Sequence, residues 1–113
     1  MVNINGLDIT LTRGDSLNLR VDLEGRDLPE GSIAEMTVKR SVRSRSVLLR
    51  KTFDASGETI GIQLAPQETS LLPGAYVWDV RLLIPLAGGG CEVYTPMEYA
   101  AFVIVPAVGG GAE

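Results

Sequence analysis

Along most of the chain apolar and polar residues alternate with a period of two, the signature of strands that bury one face and wet the other. The longest such run lies between Pro73 and Pro85. There Tyr76, Trp78, Val80, Leu82 and Ile84 share one face, and Ala75, Val77, Asp79, Arg81 and Leu83 share the other. Pro73-Gly74 supplies turn chemistry ahead of the run, and Pro85 lacks the N–H that a continuing ladder requires. The run holds the chain's only tryptophan, and an aromatic that removes roughly 150–250 Å² from water is a natural core centre. The pattern predicts a hub strand here, with Tyr76 and Trp78 buried between two sheets.

The remaining alternations predict the other strands. Leu7, Ile9 and Leu11 alternate with Asp8, Thr10 and Thr12; the turn Arg13-Gly14-Asp15 is then expected to close a first hairpin with Ser16–Leu23, whose Leu17, Leu19, Val21 and Leu23 face inward. Glu24–Asp27 and Leu28–Gly31 are turn-rich tetrads and form a loop. From Ser32 to Arg40, Ala34, Met36 and Val38 alternate with Glu35, Thr37 and Lys39. Val42–Ser46 breaks this pattern and Val47–Phe53 resumes it with mixed facing, which predicts a hairpin with a basic tip. After the turn Asp54–Gly57, Ile60, Ile62 and Leu64 face one way. Pro66–Leu72 lacks alternation, has proline at a first helical position and an acid in its first turn, and is read as one helical turn crossing the end of the sandwich.

Leu86–Gly90 reads as a flexible loop. Cys91–Thr95 and Tyr99–Val105 read as strands, with Pro96 between them arguing for a bulge or an edge position. Seven or eight short strands, turn signals about every 8–12 residues and one short helical turn predict an all-β fold, an immunoglobulin-like antiparallel β-sandwich. Residues 1–106 form the expected domain and 107–113 a flexible Gly-rich C-terminal tail.

Composition narrows the function classes. The 113 residues, 45% of them hydrophobic, suffice for one core. The formal charge of −4 gives the whole molecule no long-range attraction for nucleic acid or an anionic membrane, and neither is expected as a partner. A single cysteine, Cys91, rules out an intrachain disulfide and a cysteine metal cluster. The absence of histidine removes the commonest general base and metal ligand, along with every Ser-His-Asp or Cys-His arrangement. No cofactor is implied and catalysis is not expected. The opening MVNINGLDIT lacks the basic start and apolar run of a signal peptide, and no apolar stretch nears the roughly 20 residues that span a bilayer, so a soluble, unprocessed chain is expected.

Several short motifs invite a functional reading. Arg13-Gly14-Asp15 matches an integrin-read tripeptide, but glycine followed by aspartate is also what a tight turn requires, and the turn reading is preferred. Lys39, Arg40, Arg43, Arg45, Arg50 and Lys51 are six of the ten basic residues, gathered with no acid among them. No aromatic is interleaved for base stacking, so a solvated hairpin, or a patch that docks on an acidic partner or on another copy, outweighs phosphate binding. An apolar strand edge near Val103–Val105 is the alternative contact. Asp79 beside Arg81 reads as one half of a cross-strand ion pair rather than a catalytic carboxylate. Cys91 has no neighbour in sequence to lower its pKa, and Gly88–Gly90 lacks the lysine and strand-to-helix setting of a phosphate loop.

The stretches ITLTRGDSLNLRVDL, IGIQLAPQETSLLPGAYVWDVRLL and YAAFVIV together resemble the N-terminal immunoglobulin-like module of tailed-phage baseplate upper and related tail proteins. The likeness is carried by Thr12, Arg13, Gly14 and Asp15, then by Leu72, Pro73, Gly74, Tyr76 and Asp79. It implies a virion or prophage structural role without an active site, with other tail or baseplate proteins or copies of the chain as partners. The virion tail, assembled in the host cytoplasm, would be the location. A stand-alone ligand-binding sandwich such as a carbohydrate-binding module is the competing expectation, with Phe53, Tyr94, Tyr99 and Phe102 as the aromatics available to stack on sugar rings.

Overall fold

The computed structural model describes residues 2–5, 8–22, 27–95 and 99–107, and within them nine strands. These are β1 (Val2–Asn5), β2 (Asp8–Thr12), β3 (Leu17–Asp22), β4 (Ile33–Lys39), β5 (Val47–Asp54), β6 (Thr59–Leu64), β7 (Gly74–Pro85), β8 (Cys91–Tyr94) and β9 (Ala100–Val105). The larger sheet runs β1-β2-β9-β7-β4-β5, with β8 also on β7; β3 and β6 pair with each other as a second, two-stranded sheet. The fold is an all-β, sandwich-like arrangement of two unequal sheets. Its pairings are antiparallel except for β2, which runs parallel to β9 from Ile9 beside Phe102 to Thr12 beside Val105. The expected purely antiparallel sandwich is in this respect a mixed one.

β7 is the hub. β4 lies along one side of it and β9 and β8 share the other, each taking one half of its length. Its inward residues Tyr76, Trp78, Val80, Leu82 and Ile84 are all buried, as the alternation predicts. Ile9, Leu11, Ala34, Met36, Val38, Phe102 and Ile104 of the large sheet meet Leu17, Ile60, Ile62 and Leu64 of the small one in a single core. The Tyr76 hydroxyl donates to the Leu72 carbonyl, four residues upstream. The bond fastens the entry of β7, in the manner of the tyrosine corner of immunoglobulin-type sandwiches.

The Arg13-Gly14-Asp15 turn does not close a hairpin. β2 and β3 belong to different sheets, and the turn carries the chain across: Arg13 N–H donates to Val105 O while β3 leaves to pair with β6. The period of two sets which face is buried but is silent on the pairing partner. The first hairpin is instead β1 on β2. Gly14 sits at the crossing with φ of 84° and Gly74 opens β7 with φ of 155°, both in the region that disfavours a Cβ.

No helix forms at Pro66–Leu72. Glu68 and Thr69 N–H groups close one turn on Ala65 O, at 2.9 and 3.3 Å, and the Glu68 carboxylate accepts the Ala65 N–H at 2.7 Å as in half of a capping box. Thr69 and Ser70 hydroxyls then donate to Pro66 O, and Leu72, preceding Pro73, is biased to extended backbone, so the turn does not propagate. Pro96 and residues 108–113 of the expected tail lie outside the described residues, as do Leu7, Leu23 and Glu24–Arg26. On either side of Pro96, Tyr94 stands opposite Leu82 and Ala100 opposite Trp78. β8 and β9 thus pair with separate lengths of β7.

Candidate interaction surface

The hairpin β4–β5 presents the basic residues. From Ile33 opposite Asp54 the two strands stay in register to Val38 opposite Leu49, where Leu48 is inserted as a bulge before Lys39 meets Val47. A bulge bends its strand and re-aims the side chains beyond it. The connecting residues 40–46 contain a turn closed by Ser44 N–H on Ser41 O at 3.1 Å. Arg40, Arg43 and Arg45 are exposed here, and Lys39 is half-buried at the base. Val42 stands among them, 52% exposed.

The structure divides the six expected basic residues into two groups. Lys51 lies on the inner face of β5, opposite buried Met36, and reaches across the gap between the sheets. Its ammonium donates to Gln63 O at 2.9 Å and to Glu68 Oε1 at 2.8 Å, and it lies 5.6 Å from the centre of the Phe53 ring. It is a strut tying β5 to β6 and to the 65–69 turn. Glu68 accepts bonds from Lys51 and from the Ala65 N–H, which together hold its carboxyl below the usual carboxylate range. Arg50 faces outward with its Nε 3.9 Å from the Glu35 carboxylate, an exposed pair worth little in stability. Acids distant in sequence thus answer both residues, and among the described residues the unpaired hairpin charge contracts to Lys39, Arg40, Arg43 and Arg45.

Arg40 has its guanidinium 5.5 Å from the centre of the Tyr76 ring, which links the tip to the hub strand. An open groove of about 350 Å³ lies near Lys51, lined also by Asn18, Gln63 and Ala65, but its one cation is already committed to Glu68. Among the described residues no three His, Cys, Asp or Glu side chains are grouped to hold a metal ion. No helix of the described residues is long and apolar enough to cross a membrane.

The other motifs resolve structurally. Arg13 and Asp15 are half-buried against the 65–70 turn: Arg13 Nη2 donates to Ser70 O at 3.5 Å, and Asp15 O accepts the Thr69 hydroxyl at 2.6 Å. The tripeptide serves the corner between the sheets. Asp79 stands opposite Thr37, and the residue opposite Arg81 is Glu35, so the charges form an alternating band on the outer face. Cys91 is exposed and free at the start of β8, opposite Pro85. Val103–Val105 is no strand edge, because β9 is flanked by β2 and β7. Of the four aromatics considered for sugar stacking, Phe102 is fully buried and Phe53 half-buried beneath Lys51, leaving Tyr94 and Tyr99 exposed. Comparison of the chain with protein-family models, with curated proteins and with solved structures finds no match.

Proposed function

We propose that the chain is a non-enzymatic structural module of a phage or prophage tail, associated with the baseplate, that acts through protein–protein contacts made by the tip of the β4–β5 hairpin. The observation that carries the reading is the tip, where Arg40, Arg43 and Arg45 are exposed above half-buried Lys39 and none of the four forms an ion pair among the described residues, while the other two basic hairpin residues are answered. Like charges held together cost self-repulsion that an acidic neighbour relieves. The tip is anchored to the core through Arg40 on Tyr76 and joins two strands paired along their length, β4 being held by β7 as well, which suits a docking element. The sequence likeness to baseplate modules supplies the setting, with tail or baseplate proteins as partners and the virion as location.

The test is particle composition. Particles induced from a strain carrying the gene, purified and examined by mass spectrometry and immunogold labelling, are expected to contain the chain in constant stoichiometry with label on the tail. Purified particles lacking it would overturn the reading. Exposed Tyr94 and Tyr99 favour the second reading, a carbohydrate-binding sandwich. It calls for glycan-array binding that is lost in Tyr94→Ala and Tyr99→Ala.

A further inference from the structure

The charge of the molecule is distributed along its strands. The tip lies where β4 ends, at Lys39. Where β4 begins, two turns and the end of β3 come together: Ala55 N–H donates to Ser32 O at 2.9 Å, Leu28 and Gly57 exchange two backbone bonds at 2.8 and 2.9 Å, and Asp22 closes β3 opposite Thr59. These segments expose Asp22, Asp27, Glu30, Asp54 and Glu58, and the described residues 27–32 and 54–58 include no lysine or arginine. Apart from the four tip cations, the whole chain carries six basic against fourteen acidic side chains. The seven residues of β4 hold the two clusters apart. At about 3.3 Å per residue that is roughly 20 Å, more than twice the Debye length of about 8 Å at physiological salt. Neither cluster can neutralise the other within one molecule.

We propose that the basic tip of one copy docks on the acidic end of a second copy, so that the chain assembles head to tail. The inference rests on the reading of the tip as a docking element and names its partner. Four exposed or half-exposed cations stand against five exposed carboxylates of opposite sign, and each cluster carries a partly exposed aliphatic residue, Val42 at the tip and Ile33 at the acidic end. The two clusters lie at opposite ends of the same hairpin, so one copy engages two neighbours at once. Made to two different neighbours, such a contact is heterologous and generates rings or open filaments; made reciprocally between one pair it would close a two-fold dimer, which growth in mass beyond the dimer excludes.

Sedimentation velocity on two double variants decides the matter. Arg43→Gln with Arg45→Gln spoils the tip, and Glu30→Gln with Glu58→Gln spoils the acidic end; circular dichroism melts matching wild type establish that both fold. Wild type is expected to grow in mass with concentration at low salt, with association about tenfold weaker once the Debye length is cut to about 3–4 Å by concentrated salt. Each variant alone should remain monomeric. Their equimolar mixture should form dimers and nothing larger, since one sound tip and one sound acidic end remain. A monomeric wild type at low salt, variants that associate as wild type does, or a mixture without dimers would each overturn head-to-tail docking. A monomeric chain found in tail particles would leave the structural reading standing while removing this one.

Discussion

Replacing Trp78 by alanine tests the organisation of the core around β7. The indole is 1% exposed, opposite Val38 on β4 and Ala100 on β9, with Tyr76 and Val80 beside it on the same face. An aromatic of this kind removes roughly 150–250 Å² from water, worth about 4–6 kcal/mol at about 25 cal/mol per Å². Alanine keeps part of that burial, but the backbone on both sides is locked in ladders, which limits how far the walls can close on the space. The expected loss is about 3–5 kcal/mol, a large part of the roughly 5–15 kcal/mol available to such a domain. Because the variant lacks the chain's only tryptophan, unfolding in urea should be followed by far-ultraviolet circular dichroism; wild-type emission should be that of a buried indole. A loss below about 1 kcal/mol with an unchanged slope, or the emission of a solvated indole in wild type, would refute the hub assignment.

Tyr76→Phe removes the bond to Leu72 O while keeping the ring, and should cost about 1–1.5 kcal/mol in urea unfolding; no loss would remove the corner from the account. Gly14→Ala should cost about 1–2 kcal/mol because of its φ of 84°, whereas Gly88→Ala, with open space around its Cβ position, should stay within about 0.5 kcal/mol. Glu68 has its folded carboxyl pKa lowered by the Lys51 bond first and the Ala65 N–H second. The stabilisation is therefore present above the unfolded carboxylate range and lost as pH falls through the folded value. The urea midpoint of wild type should fall more steeply on acidification than that of Glu68→Gln, and parallel curves would contradict the linkage.

The legibility of this fold in the sequence follows the range of each interaction. Facing was legible, because Trp78 and its neighbours at i±2 carry it locally, and β4, β6 and β7 bury the residues their alternation selects, while β3 buries Leu17 and half-buries Leu19 and Val21. Pairing was not. The parallel contact of β2 with β9 joins residues some ninety positions apart, and the sheet crossing at Gly14 looks locally like any hairpin turn. The site contracted for the same reason. Lys51 reads as part of a basic run until β5 is placed on β4, where it faces inward and finds Glu68. Mixed facing in Val47–Phe53 was the available hint, and its cause is the bulge at Leu48 together with a lysine on the inner face.

The central claim is that the hairpin tip is the surface through which the chain enters an assembly. It is met most directly by complementing a deletion of the gene with wild type or with the Arg43→Glu, Arg45→Glu double variant, and by measuring the amount of chain in purified tail particles. Both residues lie in the exposed connection between β4 and β5, so the variant should melt as wild type does. The account predicts that it accumulates in the cell but is depleted from particles by about tenfold or more. Incorporation at the wild-type level would contradict it.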